Sequence, residues 1–359
     1  MKKLPLIVLI FFSIFLTACK KEKTESTFDS EIENIIKSNI SFDDKPGIVV
    51  GIIRNGVKKF YTFGVANKET NAEIDENTIF EIGSITKTFT GLIFAQFFLE
   101  NRFEQDDLAN NYLPEELQLP EKDSKGVKII HLLNHSSGLP REPEDMDPSE
   151  PGLYTENQMA EYLSQVSLLT TPGEAFLYSN TGMGLAGMLL ENISDSTYES
   201  LCKSRIFSKL SMNSTFCNNS ETPELNVAQG YFGDNPVDFY EWTNVFASAG
   251  CIKSNMHDML IYMQAYLNPE ITSLNNSINL SMEPTYEMQE NVGIGIAWFL
   301  GLSEQNNKLI FHDGGTKGFS SFIGINKEEE AGVVVLINAY CFNEQVIIGS
   351  EIMELFEKY

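Results

Sequence analysis

Histidine, cysteine and positive charge are all scarce in this chain of 359 residues, and each shortage removes a class of function. There are four histidines. His131 and His135 stand four positions apart, but the glutamate of an H-E-x-x-H motif is missing. A packed or helix-capping role is therefore expected for them, with no metal and no other cofactor. The five cysteines include no CxxC pair, which argues against zinc ribbons and dithiol chemistry. No G-x-S-x-G occurs, so the nucleophile elbow of α/β-hydrolases is absent. Basic residues number 25 against 50 acidic, for a net charge of −25, and no basic stripe interrupts the excess. A phosphate backbone would be repelled, which excludes nucleic acid as a partner. What remains is a chain 42% hydrophobic and 21% charged, the composition of a folded globular protein with a sizeable core.

The first residues do not read as part of that core. Lys2 and Lys3 precede "LPLIVLIFFSIFLTA", an apolar run short of the ~20 residues that span a bilayer, which has the form of a secretory signal. It ends in Leu16-Thr17-Ala18-Cys19, similar to the lipobox of bacterial lipoproteins. The resemblance implies a signal peptide over 1–18, a lipid on Cys19 and a flexible tether over 19–28. The protein would then be held to a membrane in the bacterial cell envelope, periplasmic or surface-exposed. Cys202, Cys217, Cys251 and Cys341 permit three complete pairings, but buried free thiols are expected in a chain with this much apolar material.

Residues 29–359 read as a single domain. "FDSEIENIIKSNI" has apolar residues at helical spacing. Two strand-like runs follow, joined at Asn55-Gly56, a strong hairpin signal. A helix begins near Ser84, and residues 105–285 read as loops and short helices. "GIGIAWFLGL", "KLIFHDGG", "FSSFIGINK" and "AGVVVLINAY" then read as strands, with a helix to finish. The expected fold is α/β of the α+β type: an antiparallel sheet from both chain ends, flanked by helices, with an inserted mostly helical lobe.

Three short patterns carry chemistry. Ser84 and Lys87 lie three apart at the head of a mostly apolar helix, where a buried amine loses solvation of its charged form. Such a neutral amine can take the proton of a serine hydroxyl. Ser200-Leu-Cys-Lys203 has the same spacing, so spacing alone does not choose between them. Tyr178 and Asn180 follow a Pro-Gly turn and open a helix rich in small residues; a tyrosine near Lys87 could shuttle protons as a phenolate stabilised by the lysine charge. His312, Gly314 and Gly315 lie at a strand edge where glycines allow a substrate backbone to approach.

In that order, Ser84-x-x-Lys87, Tyr178-Ser-Asn180 and His312-Asp-Gly314 resemble the serine β-lactamase and penicillin-recognising hydrolase superfamily. The pattern looks most like its class C β-lactamase, D-aminopeptidase and esterase branch. "HLLNHSSGLP", "PGEAFLYSN" and "ASAGCIKSNMHDM" look like landmarks of the same family. The resemblance implies a β-lactamase/transpeptidase-like fold and an acyl-serine on Ser84, with Lys87 and Tyr178 sharing the proton transfers. It further implies that Asn180 orients the substrate and that the backbone N–H groups of Ser84 and Gly315 form the oxyanion hole. His312 stands where many relatives carry lysine; a mostly neutral imidazole binds a carboxylate less well. Lys317, five positions along the strand, is expected on the opposite face. Esters, amides or D-amino-acid peptides are accordingly expected as small-molecule or peptide substrates, cell-wall-derived ones included, ahead of β-lactams. The alternatives are a β-lactamase or DD-peptidase proper, and a non-catalytic sensing lipoprotein on the same fold.

Overall fold

The computed structural model describes residues 27–41, 46–147, 151–218, 226–240, 242 and 244–359; Cys19 and the residues read as signal and most of the tether lie outside them. Strand β1 (Gly47–Arg54) turns into β2 (Val57–Asn67) through Asn55 and Gly56, both at positive φ (+49° and +76°), as a tight two-residue hairpin demands. A short β3 (Ala72–Glu73) extends this edge. The rest of the sheet comes from the far end of the chain: β4 (Tyr286–Gln289), β5 (Val292–Ile294), β6 (Phe299–Leu302), β7 (Lys308–Gly315), β8 (Ser320–Asn326) and β9 (Ala331–Ile337). Their order is β3-β2-β1-β9-β8-β7-β6-β5-β4, antiparallel throughout, with β1 against β9 from Ile48↔Ile337 to Arg54↔Ala331.

The central strands are apolar on both faces because both faces are covered. Ile48, Val50 and Ile52 share a cluster with Ile32 and Ile36 of helix α1 (residues 27–39) and with Ile348 and Ile352 of the last helix. Val49 and Ile53 point the other way, into the cluster that holds Phe89 and Leu260. The period-two side-chain alternation thus divides one strand between two cores.

In the larger core lies α2 (Thr86–Leu99), buried at every position from Thr86 to Phe98. A helix apolar all round belongs in the centre of a protein, and α2 is enclosed by other helices of the lobe. These include α5 (Asn180–Ser194), α6 (Asn244–Gly250), α7 (Met256–Leu267) and α8 (Asn275–Ser281); α3 (Ile129–Leu133) and α4 (Glu156–Gln165) lie further out, and α9 (Glu344–Phe356) closes the chain. Among the described residues no helix is long and apolar enough to cross a membrane.

Two sequence expectations need correcting. "GIGIAWFLGL" is not one strand. It is the antiparallel pair β5 and β6, with Ile294 opposite Phe299, and the chain reverses through Gly295–Trp298 with Ala297 at φ +64°. Ile296, Ala297 and Trp298 are all buried in the lobe, which a strand with alternating faces cannot achieve. Cys217 and Cys251 form a disulfide; among the described residues Cys202 and Cys341 are buried cysteines outside that bridge.

At Gly91 the backbone of α2 meets this reversal, and an added Cβ would lie 2.3 Å from the Ile296 carbonyl oxygen. Gly91→Ala should therefore cost about 1–3 kcal/mol of stability, read as a lower urea midpoint at unchanged m-value.

Candidate active site

The catalytic candidates are brought together where the lobe meets the sheet. Ser84 sits in a 3₁₀ turn (Gly83–Ile85) that leads directly into α2, which places Lys87 in the first helical turn. Gly83 has φ +49°, and a Cβ on it would lie 2.7 Å from the Gly315 nitrogen. Only a residue without a side chain lets the serine segment lie so close to the end of β7. Gly314 packs in the same way against the Ile82 carbonyl oxygen, whereas Gly315 has open space before it.

Tyr178 and Asn180 come from the start of α5. Ser179 caps that helix by accepting the Gly182 N–H at 2.9 Å, and its hydroxyl donates to the Pro140 carbonyl at 2.7 Å. The Asn180 N–H donates to the Arg141 carbonyl, and its side-chain amide to Glu142 Oε1 at 2.7 Å. Its Oδ1 is buried and has no partner among the described residues, so it can accept a hydrogen bond from a substrate N–H.

Lys87 is fully buried, with Nζ 2.9 Å from Ser84 Oγ and 2.8 Å from the Ala249 carbonyl. Burial holds its pKa well below the ordinary lysine value; the Arg141 cation lowers it further, and Asp313 and Glu142 oppose this. The Tyr178 ring lies 5.1 Å from the amine. Burial raises the Tyr178 pKa above the ordinary phenol value, although a hydrogen bond with Ser84 favours its ionised form. This departs from the phenolate suggested by sequence, because an amine driven toward neutrality has little charge to lend. Ser200 and Lys203, the other S-x-x-K, are exposed.

His312 is buried and does not line the cleft. Its ring packs 5.2 Å from Phe299, its Nδ1 faces the Asp313 carbonyl, and its Nε2 has no partner among the described residues. Burial brings its pKa down to about 4 despite the Asp313 charge, so it is neutral at pH 7. His131 accepts the Lys128 N–H at 3.2 Å, the capping role expected. His135, its neighbour in sequence, lies beneath the site: its ring is 4.3 Å from that of Tyr178 and its Nδ1 accepts the Ser179 N–H. Only the chain path that returns residue 178 to residue 135 reveals this contact. Among the described residues no group of three or more His, Cys, Asp or Glu side chains is placed to hold a metal ion.

Beta-lactamase family sequences match residues 34–347 of this chain. The chain belongs to the beta-lactamase family. A beta-lactamase of Yersinia enterocolitica is 26% identical over 94% of this chain and 95% of its own length. One of Escherichia coli K12 is 25% identical over 82% of this chain and 84% of its own. Protein flp of Staphylococcus aureus NCTC 8325 is 26% identical over 86% of this chain, which corresponds to 62% of that protein. At this level the protein is a serine hydrolase of the beta-lactamase fold.

The beta-lactamase-family cleft has a volume of about 770 Å³, and Ser84, Tyr178, Asn180 and Gly315 all line it. Two segments wall it: Arg141, Glu142 and Met146 come from one, and Phe232, Tyr240 and Trp242 from the other. Lys317 lines it too. The expectation that it faced away assumed a strand still running, but β7 ends at Gly315 and side-chain alternation ends with it. Arg141 was not anticipated; its guanidinium lies 4.8 Å over the Tyr178 ring and 3.4 Å from Glu142.

Because Arg141 holds the Lys87 pKa down, Arg141→Gln should raise it. The pH profile for labelling of Ser84 by a fluorophosphonate should then move its acid limb to higher pH. A limb that moves to lower pH would contradict the electrostatics described.

Proposed function

We propose that this protein hydrolyses esters, amides or D-amino-acid peptide bonds through an acyl-serine on Ser84, with Lys87 as the base. The observation that carries this reading is the 2.9 Å contact between Ser84 Oγ and a buried amine whose charged form is disfavoured. As Ser84 Oγ attacks the carbonyl carbon, Lys87 takes its proton, and the backbone N–H groups of Ser84 and Gly315 receive the oxyanion. Tyr178, a phenol at rest, gives its proton to the leaving group and is reprotonated from Lys87. Asn180 Oδ1 receives a substrate N–H. Water then attacks the acyl-serine, its proton passing to the same pair, and the acid leaves with Ser84 restored.

Ser84→Ala should abolish hydrolysis of a p-nitrophenyl short-chain ester, and Lys87→Ala should lower kcat/KM by about 10²–10⁴-fold. Wild-type kcat/KM should fall as pH drops, since protonation of Lys87 removes the base. Ester hydrolysis unaffected by Ser84→Ala would reject the assignment. An acyl-enzyme that forms and never turns over, seen by mass spectrometry, would favour the sensor.

Turnover of β-lactams is the second reading, favoured by Lys317 and Arg141 in the cleft, two cations that could hold a substrate carboxylate. The neutral His312 weighs against it. Rapid nitrocefin hydrolysis lost in Lys317→Ala would select this reading over the first.

The proposal includes an envelope location through a lipid on Cys19, which rests on the sequence of the leader. Cys19→Ala should abolish palmitate incorporation and release the protein from the membrane fraction.

A further inference from the structure

Large apolar side chains at the mouth of the cleft are left in the open. Phe342 is 81% exposed, Phe232 51% and Tyr340 45%, and all three line the cavity that holds Ser84. Their backbones are nonetheless held in place. Phe232 ends one strand of a hairpin (Gly230–Phe232 against Asn235–Val237), where alternation sends Tyr231 into the core and Phe232 outward. The Tyr340 N–H donates to the Tyr231 carbonyl at 2.8 Å, and the neighbouring Cys341 N–H to Ser320 Oγ at 2.8 Å. The rings of Phe232 and Tyr340 lie 5.5 Å apart, and Phe342 stands two residues before α9. Exposed aromatics on a fixed backbone, continuous with the cleft, form a surface for an apolar group.

Gln345, in the first turn of α9, points to what that group is attached to. It lines the same cavity, is 4% exposed, and its Oε1 is enclosed with no partner among the described residues. An enclosed carboxamide oxygen that bonds to nothing is unfavourable. Its natural complement is another amide, which has an N–H to give and a carbonyl to receive one. An ester offers no N–H. Asn180 Oδ1, likewise enclosed and without a partner in this cleft, makes the same demand.

We propose that Gln345 and the Phe232–Tyr340–Phe342 surface form a binding site for a hydrophobic amino-acid residue of the substrate. Gln345 pairs with its peptide group, and the three rings receive its side chain. The proposal rests on the cleft being the substrate site, as argued above. It narrows the substrates from esters and amides in general to peptides or amides that bear an apolar side chain.

Binding by the full chain carrying Ser84→Ala, which cannot form the acyl-serine, tests this. The probes are N-acetyl-phenylalaninamide and N-acetyl-alaninamide, each in both hands, and phenethyl acetate, which keeps the ring and has no N–H. By saturation-transfer NMR, one hand of N-acetyl-phenylalaninamide should bind about tenfold more tightly than the alanine probe, which lacks the ring. It should bind about fivefold more tightly than the ester, which lacks the amide. Phe342→Ala, at a position outside the core, should lower the preference for phenylalanine over alanine to about twofold and keep that for amide over ester. Gln345→Leu should do the reverse. Equal binding of the three probes, or no binding of N-acetyl-phenylalaninamide in either hand, overturns the site and needs no further variant. So do preferences that survive both substitutions. Preferences unchanged in Phe342→Ala, together with a lower mass in solution, would assign the aromatic surface to a second copy of the chain and overturn the proposal. Failure of ester hydrolysis rejects the acyl-serine reading and leaves these affinities to decide the site; equal affinities reject the site and leave Ser84 in place.

Discussion

The structure turns on the burial of one amine. Lys87 stands in the first turn of a helix with no exposed face between residues 86 and 98, and its neighbours in space are a serine hydroxyl, a carbonyl and a tyrosine ring. A desolvated ammonium is unfavourable by several kcal/mol, so the surroundings favour the neutral base. That condition holds only if α2 stays enclosed. The glycines at 83 and 91 can be understood this way: one lets the serine segment meet β7, the other lets the β5–β6 reversal close over the helix.

Net charge and site charge are nearly independent of one another. The protein carries twice as many acidic as basic residues, yet Arg141 and Lys317 stand in the cleft beside Glu142 and Asp313. Whole-chain charge is enough to exclude a polyanionic partner, because such a partner meets the long-range field. It does not describe a pocket a few ångströms across, where the nearest cations decide whether an anion is tolerated. In the sequence Arg141 is inconspicuous, one residue at the head of a run dominated by carboxylates.

What could be read from sequence were features fixed by neighbours along the chain. Asn55-Gly56 determines its own turn, the all-apolar run after Lys87 determines a central helix, and Ser84, Tyr178 and Asn180 sit in patterns whose spacing places them at helix starts. The misses are long-range. Ile296 and Trp298 favour a strand by composition, yet with Ala297 between them they form a reversal because the lobe offers all three burial. Lys317 changes face because a strand stops two residues before it. His135 matters through Tyr178, a pairing that no local pattern encodes. The Cys217–Cys251 bridge was one of several combinations until the fold chose it.

The antiparallel pairing of β1 with β9 also bears on how the chain becomes a protein. An interior strand of the sheet is made early and its partner almost last, with the whole lobe between them. Loop closure over nearly three hundred residues is slow compared with local pairing, so the hairpin of β1 and β2 must wait with one hydrogen-bonding edge open. Until β9 arrives, that edge and the apolar faces beside it are available to other chains, the condition under which nascent proteins aggregate or recruit chaperones. A truncation that removes only the final strand and helix would leave every catalytic candidate in the sequence but would cut the sheet in two, parting β1 from β8.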